Sequence, residues 1–265
     1  MHIKDITSKD NLIFKTIKTL SKKKGRDESG LYLIEGLRLL EEATNHQVEL
    51  QYVVINENID LPKNILNCQV LRVTNSMFKD ISDTVTPQGV IGIAKRVNIS
   101  FEDLILPEKP LIIVLNGVQD PGNLGTIIRT AAAAKATAVI LTEGTVDLYS
   151  PKVIRSTMGA AFQVPIICGV DDKEAISWLK ENNINILVAD VHAKQYYFTA
   201  NLEEAVALVI GNENKGPSDS WQDAAQEKIK IPISGATESL NASVAAGILI
   251  YDVIRQRLNK KKSDI

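Results

Sequence analysis

Short apolar runs alternate with amphipathic stretches along the first hundred residues. In residues 11–20, apolar side chains recur at helical spacing. Further helices are predicted at residues 36–43, 62–66 and 76–81, and strands at residues 31–34, 52–55, 70–73 and 89–94. The basic stretch through Gly25 and Gly30 is predicted to be a loop. This pattern predicts a small α/β unit at residues 1–100.

The alternation is stronger after a polar, proline-containing stretch that we assign as a linker, residues 101–110. Strands are predicted at residues 111–115, 138–141, 162–167, 184–189, 205–210 and 229–231, and helices at 123–135, 153–159, 172–181 and 243–258. Uninterrupted apolar runs such as residues 111–115 are typical of parallel strands buried on both faces. Residues 111–265 therefore predict an α/β domain with helices on both sides of a parallel sheet.

Composition narrows the class of protein. The chain has 265 residues, of which 45% are hydrophobic and 23% charged, as in globular proteins with a sizeable core. No apolar run approaches the roughly 18 residues of a membrane helix, and the N-terminus lacks a signal-peptide pattern, so we expect a cytoplasmic protein. Cys68 and Cys168 are interpreted as reduced structural thiols, and no spacing of His and Cys residues predicts a metal site.

Basic side chains are concentrated in two places although the net charge is −2. The early group is Lys15, Lys18, Lys22, Lys23, Lys24 and Arg26, and the late one is Arg255, Arg257, Lys260, Lys261 and Lys262. A run of like charges is usually a solvated surface. The alternative is that these groups bind nucleic-acid phosphates.

Three separated segments place Gly, Asn and Pro at the ends of apolar runs, where ligands bind in α/β proteins. They are NGVQDPGNLGTIIRTA at residues 116–131, IGNENKGP at 210–217 and IPISGATESLNAS at 231–243. In the first, we expect Asn123 to cap a helix and Arg129 to be either solvated or directed into a site. The second is not a P-loop, because Pro217 stands where that motif needs lysine.

Together, in this order, the three segments resemble the motifs of the SpoU (TrmH-type) family of RNA 2′-O-ribose methyltransferases, in the SPOUT superfamily. Residues 33–36 and 87–90 are similar to the L30e-like substrate-binding domain that precedes many SpoU catalytic domains. The resemblance implies a C-terminal trefoil-knotted domain, a homodimer, S-adenosylmethionine as the cofactor, and RNA as the substrate. The expected function is methylation of a ribose 2′-hydroxyl, with rRNA favoured over tRNA.

The resemblance also assigns roles to individual residues. The expected catalytic residues are Arg129, Asn123, Glu213, Ser239 and Asn241. The expected cofactor-binding residues are Ala189, Asp190, Gly211, Asn212, Ile231, Leu240 and Asn241. The expected RNA-binding residues are Lys15, Lys22, Lys23, Lys24, Arg26 and Arg155, with exposure on a helix face as the alternative for Arg155.

Two other functions stay open at this point. One is a non-catalytic, ribosome-associated RNA-binding protein that has kept the fold. The other is a related methyltransferase that acts on tRNA or on a base rather than on ribose.

Overall fold

The computed structural model describes residues 3–59 and 68–263. The predicted helix at residues 62–66 lies outside the described residues. The chain forms two compact units, and the division differs from the predicted domain boundaries. The first unit contains Met1–Val97 and Asp147–Phe162, and the second contains Asn98–Val146 and Gln163–Ile265.

The first unit is built around a mixed five-stranded sheet in the order β1-β4-β3-β5-β2. Its N-terminal part consists, in chain order, of β1 (Ile3–Ile6), α1 (Leu12–Thr19), α2 (Lys23–Ser29), β2 (Leu31–Glu35), α3 (Leu37–Asn45), β3 (Leu50–Asn56), β4 (Gln69–Val73), α4 (Asn75–Ile81) and β5 (Val90–Lys95). Strands β1, β4 and β3 are parallel, and β5 is antiparallel to both β3 and β2.

The predicted basic loop is instead a helix, α2. Gly30 ends this helix in the left-handed conformation with φ 67°, which glycine adopts without a steric penalty. Arg26 is buried on the inner face of α2. The sequence did not predict this helix because its basic residues indicated a solvated loop, whereas Arg26 is part of the buried core.

The second unit contains a seven-stranded sheet, in the order β10-β12-β9-β11-β6-β7-β8, whose strand pairs are all parallel. In chain order the elements are β6 (Leu111–Asn116), α5 (Pro121–Ala133), β7 (Ala138–Thr142), α6 (Pro151–Thr157, in the first unit), β8 (Ile166–Val170), α7 (Asp172–Glu181), β9 (Asn185–Ala189), β10 (Gln195–Tyr196), β11 (Val206–Gly211), α8 (Asp219–Ala224), β12 (Glu227–Lys230) and α9 (Ala242–Ser263). The prediction of a parallel α/β sheet is confirmed. The trefoil knot stays a prediction.

The predicted linker is part of the second unit. Phe101 stacks on Trp178 with ring centroids 4.7 Å apart, and Leu104 and Leu106 pack against the core of that unit. Apolar side chains at every few positions hold this segment on the core, so its proline and polar residues do not make it a free connection.

Residues 147–162 interrupt the second unit and complete the first. Ile154 of α6 packs in a cluster with Tyr32 and Ala94, and the Tyr149 ring lies tilted at 49° against the Tyr32 ring with centroids 4.7 Å apart. Burial and the neighbouring Tyr149 raise the pKa of Tyr32. Residues 147–162 therefore belong to the first unit although they lie within the range 111–265 that was predicted for the second domain.

Candidate functional site

A cavity of about 1040 Å³ lies at the carboxyl ends of β9, β11 and β12. Ligands bind at this edge of parallel sheets because the loops that leave the strands diverge there. All of the predicted cofactor-binding residues line it: Ala189, Asp190, Gly211, Asn212, Ile231, Leu240 and Asn241. Of the predicted catalytic residues, Glu213, Ser239 and Asn241 line it as well.

The loop at residues 211–218 forms one wall of the cavity and is held by its own hydrogen bonds. Asn212 and Gly216 exchange backbone hydrogen bonds of 3.2 and 2.9 Å. The Asn212 Oδ1 accepts from the backbone N–H groups of Asn214 and Lys215, and its Nδ2 donates to the Gly117 carbonyl at 2.8 Å. This side chain therefore both shapes the loop and ties it to the end of β6.

Gly211 has no side chain because its own loop leaves no room for one. A Cβ at this position would lie 2.0 Å from the Pro217 nitrogen and 2.2 Å from the Gly216 carbonyl carbon. Both atoms belong to backbone, which cannot rotate away as a side chain could. Close approach of the 211–218 loop to itself is thus sufficient to require glycine here, beside the predicted approach of a cofactor.

Glu213 joins this loop to the start of α5. Its carboxylate accepts hydrogen bonds from the backbone N–H groups of Gln119 and Asp120 at 3.2 and 3.1 Å, and from Asn123 Nδ2 at 3.0 Å. Burial raises the pKa of the Glu213 carboxyl, but the donated hydrogen bonds outweigh it, and the pKa lies below its usual value. Glu213 is therefore a charged acceptor that connects the 211–218 loop to the start of α5.

Asn123 and Asn241 connect α5 to α9. The N-cap of α5 is Asp120, whose Oδ1 accepts from the Asn123 N–H at 2.7 Å, so the prediction that Asn123 caps this helix is wrong. The side chain of Asn123 is thereby available to donate to Glu213 and to accept from Asn241 Nδ2 at 2.9 Å. Asn241 Oδ1 in turn accepts from Ser243 N at the start of α9. We call Asn123, Glu213 and Asn241 the Glu213 cluster.

A second polar cluster holds the far end of the 211–218 loop. Asn116 Nδ2 donates to Thr142 Oγ1 and to Asp172 Oδ1, both at 2.9 Å, and Asn116 Oδ1 accepts from Ser218 N at 2.8 Å. Ser218 Oγ donates to Asp172 Oδ2 at 2.6 Å. We call Asn116, Thr142, Asp172 and Ser218 the Asp172 cluster. Sequence reasoning missed Asp172, since nothing near it in the chain marks it as a partner of Ser218.

Arg129 and Ser239 are exposed and form no hydrogen bond or ion pair with the residues that the structure describes. Arg129 lies on α5 six residues beyond Asn123, a rise of about 9 Å along the helix, and it is not among the residues lining the cavity. Its guanidinium is therefore available to a ligand. The structure does not bring it into the Glu213 cluster.

The predicted RNA-binding residues of the first unit divide into two groups. Lys22 and Lys23 are exposed and form no ion pair with described residues. Lys15 pairs with Asp10 at 2.8 Å and Lys24 with Glu28 at 3.7 Å, but their side chains remain largely exposed. Exposed pairs of this kind are weak and exchange readily for other partners.

Arg26 and Arg155 are corrections to that prediction. Arg26 is only 3% exposed, and its guanidinium donates to the Leu20 carbonyl at 2.7 Å and to Asp147 Oδ2 at 2.9 Å. Arg155 pairs with Asp83 at 2.7 Å and Glu35 at 3.5 Å. Both guanidinium groups are paired with carboxylates inside the first unit, and Arg26 is too deeply buried to meet a phosphate.

Three members of the late basic group, Arg255, Arg257 and Lys260, form contacts within the fold, and the side chains of Lys261 and Lys262 lie outside what the structure describes. Arg257 donates to the backbone carbonyls of Lys109, Pro110 and Glu204. Burial lowers its pKa. Lys260 pairs with Glu203 at 3.0 Å. These contacts hold α9 on the second unit.

Over residues 3–59 and 68–263, no three His, Cys, Asp or Glu side chains converge as metal ligands would. Within the same ranges, every helix is too short or too polar to cross a membrane.

Comparison with known proteins identifies a methylase domain and a substrate-binding domain in the chain. The SpoU rRNA Methylase family model matches residues 110–251, and the model of the MRM3-like substrate binding domain matches residues 11–92. The 23S rRNA (guanosine(2553)-2′-O)-methyltransferase RlmP of Bacillus subtilis is 32% identical, with 94% of this chain and 98% of that protein covered.

Solved structures agree over nearly the whole chain. An RNA 2′-O ribose methyltransferase is 35% identical with a TM-score of 0.82, covering 96% of this chain and 100% of the other. An AdoMet-bound rRNA methyltransferase from Sinorhizobium meliloti is 31% identical with a TM-score of 0.87, covering 96% and 98%. The motifs, the fold and these similarities together establish that the chain belongs to the SpoU rRNA Methylase family.

Proposed function

We propose that the protein transfers the methyl group of S-adenosylmethionine to a ribose 2′-hydroxyl of rRNA, and that the reaction takes place beside the Glu213 cluster. One observation carries the proposal. Three segments far apart in the chain, containing Asn123, Glu213 and Asn241, meet in one hydrogen-bonded cluster at the rim of the cavity.

The cavity fits S-adenosylmethionine in size and chemistry. Its volume of about 1040 Å³ is at the upper end of the range for small-molecule sites. Ile231, Leu240 and Leu249 supply apolar surface for an adenine ring, and the 211–218 loop supplies backbone polar groups. When bound, the sulfonium supplies an electrophilic methyl group, so the protein's own residues need only orient the acceptor and assist its deprotonation.

We assign to Arg129 the binding of the RNA phosphate next to the target ribose. A guanidinium keeps its proton and is a poor base, but it is a strong hydrogen-bond donor to phosphate and to developing alkoxide charge. Its exposure and lack of partners among the described residues support this role. The proton of the hydroxyl then passes to water or to a phosphate oxygen.

Ser239 and the two asparagines position the hydroxyl. Each carboxamide has two N–H groups, and Asn123 and Asn241 each use one Nδ2 hydrogen within the Glu213 cluster. These hydrogen bonds fix the orientation of each amide group and therefore also the direction of its second Nδ2 hydrogen. Ser239, at the cavity wall, adds a hydroxyl that can donate or accept.

A homodimer is part of the proposal. Helix α9 has an apolar outer stripe that includes Val244, Ile248 and Tyr251, and Val244 and Tyr251 are 51% and 52% exposed. Large apolar side chains in a continuous exposed stripe are typical of a protein interface. Packing of two copies through this stripe would bring a second chain close to the Asn241 end of the site.

The test is transfer of tritiated methyl from S-adenosylmethionine to rRNA prepared from cells that lack the modification, with tRNA as the second substrate. Wild type is compared with Arg129→Ala and Arg129→Lys. We expect label in rRNA, resistance of one phosphodiester to alkaline cleavage, and at least about a hundredfold loss of kcat in Arg129→Ala, because one electrostatic donor is worth about 2.7–4 kcal/mol in such sites.

Each other outcome contradicts a stated part of the proposal. Label without alkali resistance would mean that a base is methylated. Wild-type kcat in Arg129→Ala would remove Arg129 from the mechanism. Absence of both methyl transfer and cofactor binding in the wild type would favour a non-catalytic RNA-binding protein.

A further inference from the structure

Two aromatic rings are exposed at the edge of the parallel sheet. Tyr196 ends β10, and Phe198 lies in the short 3-10 helix Tyr197–Thr199 that follows it. Tyr196 is 42% exposed and Phe198 49%. Their ring planes are 9° from parallel with centroids 5.4 Å apart. Aromatic residues make up only 5% of the chain, and Phe14, Phe78 and Trp221 are fully buried, so an exposed pair needs an explanation.

Positive charge accompanies the rings. Lys230 Nζ lies 5.2 Å from the centroid of the Tyr196 ring, within the range of a cation–π contact. Two further lysines are exposed nearby: Lys194 directly precedes β10, and Lys228 lies in β12. Aromatic faces interleaved with lysines are the combination that binds unpaired nucleotides, since bases stack and phosphates pair with cations.

The ring pair lies at the edge strand of the sheet that carries the proposed reaction site. Tyr196 and Lys230 are partners in the parallel register of β10 and β12, and Lys230 also lines the cavity. Strand β10 is four strands from β6 in the sheet, or about 19 Å at a spacing of about 4.8 Å per strand. An RNA segment of a few nucleotides spans that distance, so a ribose at the Glu213 cluster leaves a neighbouring base within reach of the rings.

We propose that Tyr196 and Phe198 form a stacking platform for an unpaired base of the RNA substrate, a few nucleotides from the methylated ribose, with Lys194 close to the adjoining phosphate. This inference rests on the proposed function. It adds a requirement on the substrate: the target lies in a single-stranded loop or an opened helix, because a paired base has no free face to offer.

The experiment measures the affinity of a fluorescent 12-nucleotide oligoadenylate and of an abasic oligomer of the same length, by anisotropy. Tyr196→Ala and Phe198→Leu should each weaken binding of oligoadenylate by roughly 5- to 150-fold, since base stacking contributes about 1–3 kcal/mol per base. Binding of the abasic oligomer should not change. Tyr196→Phe, which keeps the ring, should bind as wild type, and so should Ile105→Ala, which shortens an exposed apolar side chain elsewhere.

Equal affinity of the wild type for the two oligomers, or equal affinity of Tyr196→Ala and Tyr196→Phe for oligoadenylate, would overturn the platform. A shift of Tyr196→Ala from dimer to monomer in sedimentation would overturn it too, by making the rings a subunit contact. Methyl transfer is assayed separately on rRNA. An active wild type with unchanged ring variants refutes only the platform, whereas base-dependent binding without methyl transfer refutes only the proposed function.

Discussion

The two ends of the 211–218 loop are both held by a carboxylate and an asparagine, yet they differ in what remains unsatisfied. In the Asp172 cluster, both Nδ2 hydrogens of Asn116 and both oxygens of Asp172 are used within the protein. In the Glu213 cluster, the carboxylate is satisfied, but each of the two amides uses one Nδ2 hydrogen in its contacts with the described residues. Glu213 and Asn241 of the Glu213 cluster line the cavity, whereas no member of the Asp172 cluster does.

This difference indicates that the two clusters have different roles. A fully satisfied buried cluster fixes geometry and offers nothing to a ligand. A cluster with spare donors at a cavity wall can bind a ligand without rearranging. The Asp172 cluster should therefore affect methylation through the cofactor loop, and the Glu213 cluster should affect the reacting groups directly.

Substitution of Gly211 should have the largest effect, because it disturbs both ends of the loop at once. In Gly211→Ala the added Cβ would lie 2.0 Å from the Pro217 nitrogen, so the backbone must move. We expect the Kd for S-adenosylmethionine, measured by calorimetry, to rise at least about tenfold, together with a lower Tm. The control is Gly235→Ala, where a Cβ would meet nothing within 4 Å. Equal cofactor affinity of the two variants would contradict this account of Gly211.

Asn123→Asp tests the Glu213 cluster. It replaces a donor 3.0 Å from the Glu213 carboxylate by a second carboxylate, and like charges at that distance disfavour joint ionisation. We expect kcat to fall by about a hundredfold at pH 7.5, with partial recovery as the pH is lowered and one carboxyl is protonated.

The double variant Asn123→Asp with Glu213→Gln provides the matched control for that charge repulsion. It restores one donor and one carboxylate in exchanged positions, so it should recover activity relative to the single variant. Identical kcat values for the single and double variants would mean that repulsion is not the cause.

Asp172→Asn tests the Asp172 cluster. An amide cannot accept from both Asn116 and Ser218 as the carboxylate does, and loss of a hydrogen bond to a charged group costs about 1.5–3 kcal/mol. We expect a lower Tm and a severalfold higher KM for S-adenosylmethionine, with the KM for RNA unchanged. Asp223→Asn, at an exposed position on α8, is the control. A fall in kcat at saturating cofactor would assign Asp172 to the chemistry and erase the contrast between the clusters.

The smallest effect concerns acid stability. The pKa of Glu213 in the folded protein lies below its usual value of 4.5. Its charged form therefore stabilises the fold at pH values above 4.5, and this contribution is lost as the pH falls through the lowered pKa. Glu213→Gln should show a smaller decrease in Tm between pH 6 and pH 3 than wild type. Glu143→Gln, at an exposed position, should follow the wild-type curve, and a Glu213→Gln curve parallel to it would refute the assignment.

The parallel sheet and its cavity were predictable from sequence for a local reason. Buried strands such as β6 and β11 are continuous apolar runs, and the Gly- and Asn-rich segments that follow them lie at the carboxyl ends by construction. Strand β1 was missed because two of its four residues, Lys4 and Asp5, are charged and exposed at an edge.

The remaining differences arise from contacts between residues far apart in the chain. Arg26 looks like one more cation in a solvated run until Asp147, 121 residues later, is placed beside it. Asp172 looks like the first residue of a helix until Ser218 is found within hydrogen-bonding distance. Periodicity and local propensity carry no information about such pairs, and a family resemblance supplies only the positions that its motifs contain.

The excursion of residues 147–162 into the first unit sets the order in which the chain can fold as it is synthesised. When residue 97 leaves the ribosome, Arg26 still lacks Asp147, and Tyr32 and Ala94 still lack Ile154. Both partners emerge only after β6, α5 and β7 of the other unit have been made. The N-terminal unit is therefore completed by a segment that is synthesised about fifty residues later, after the first elements of the other unit.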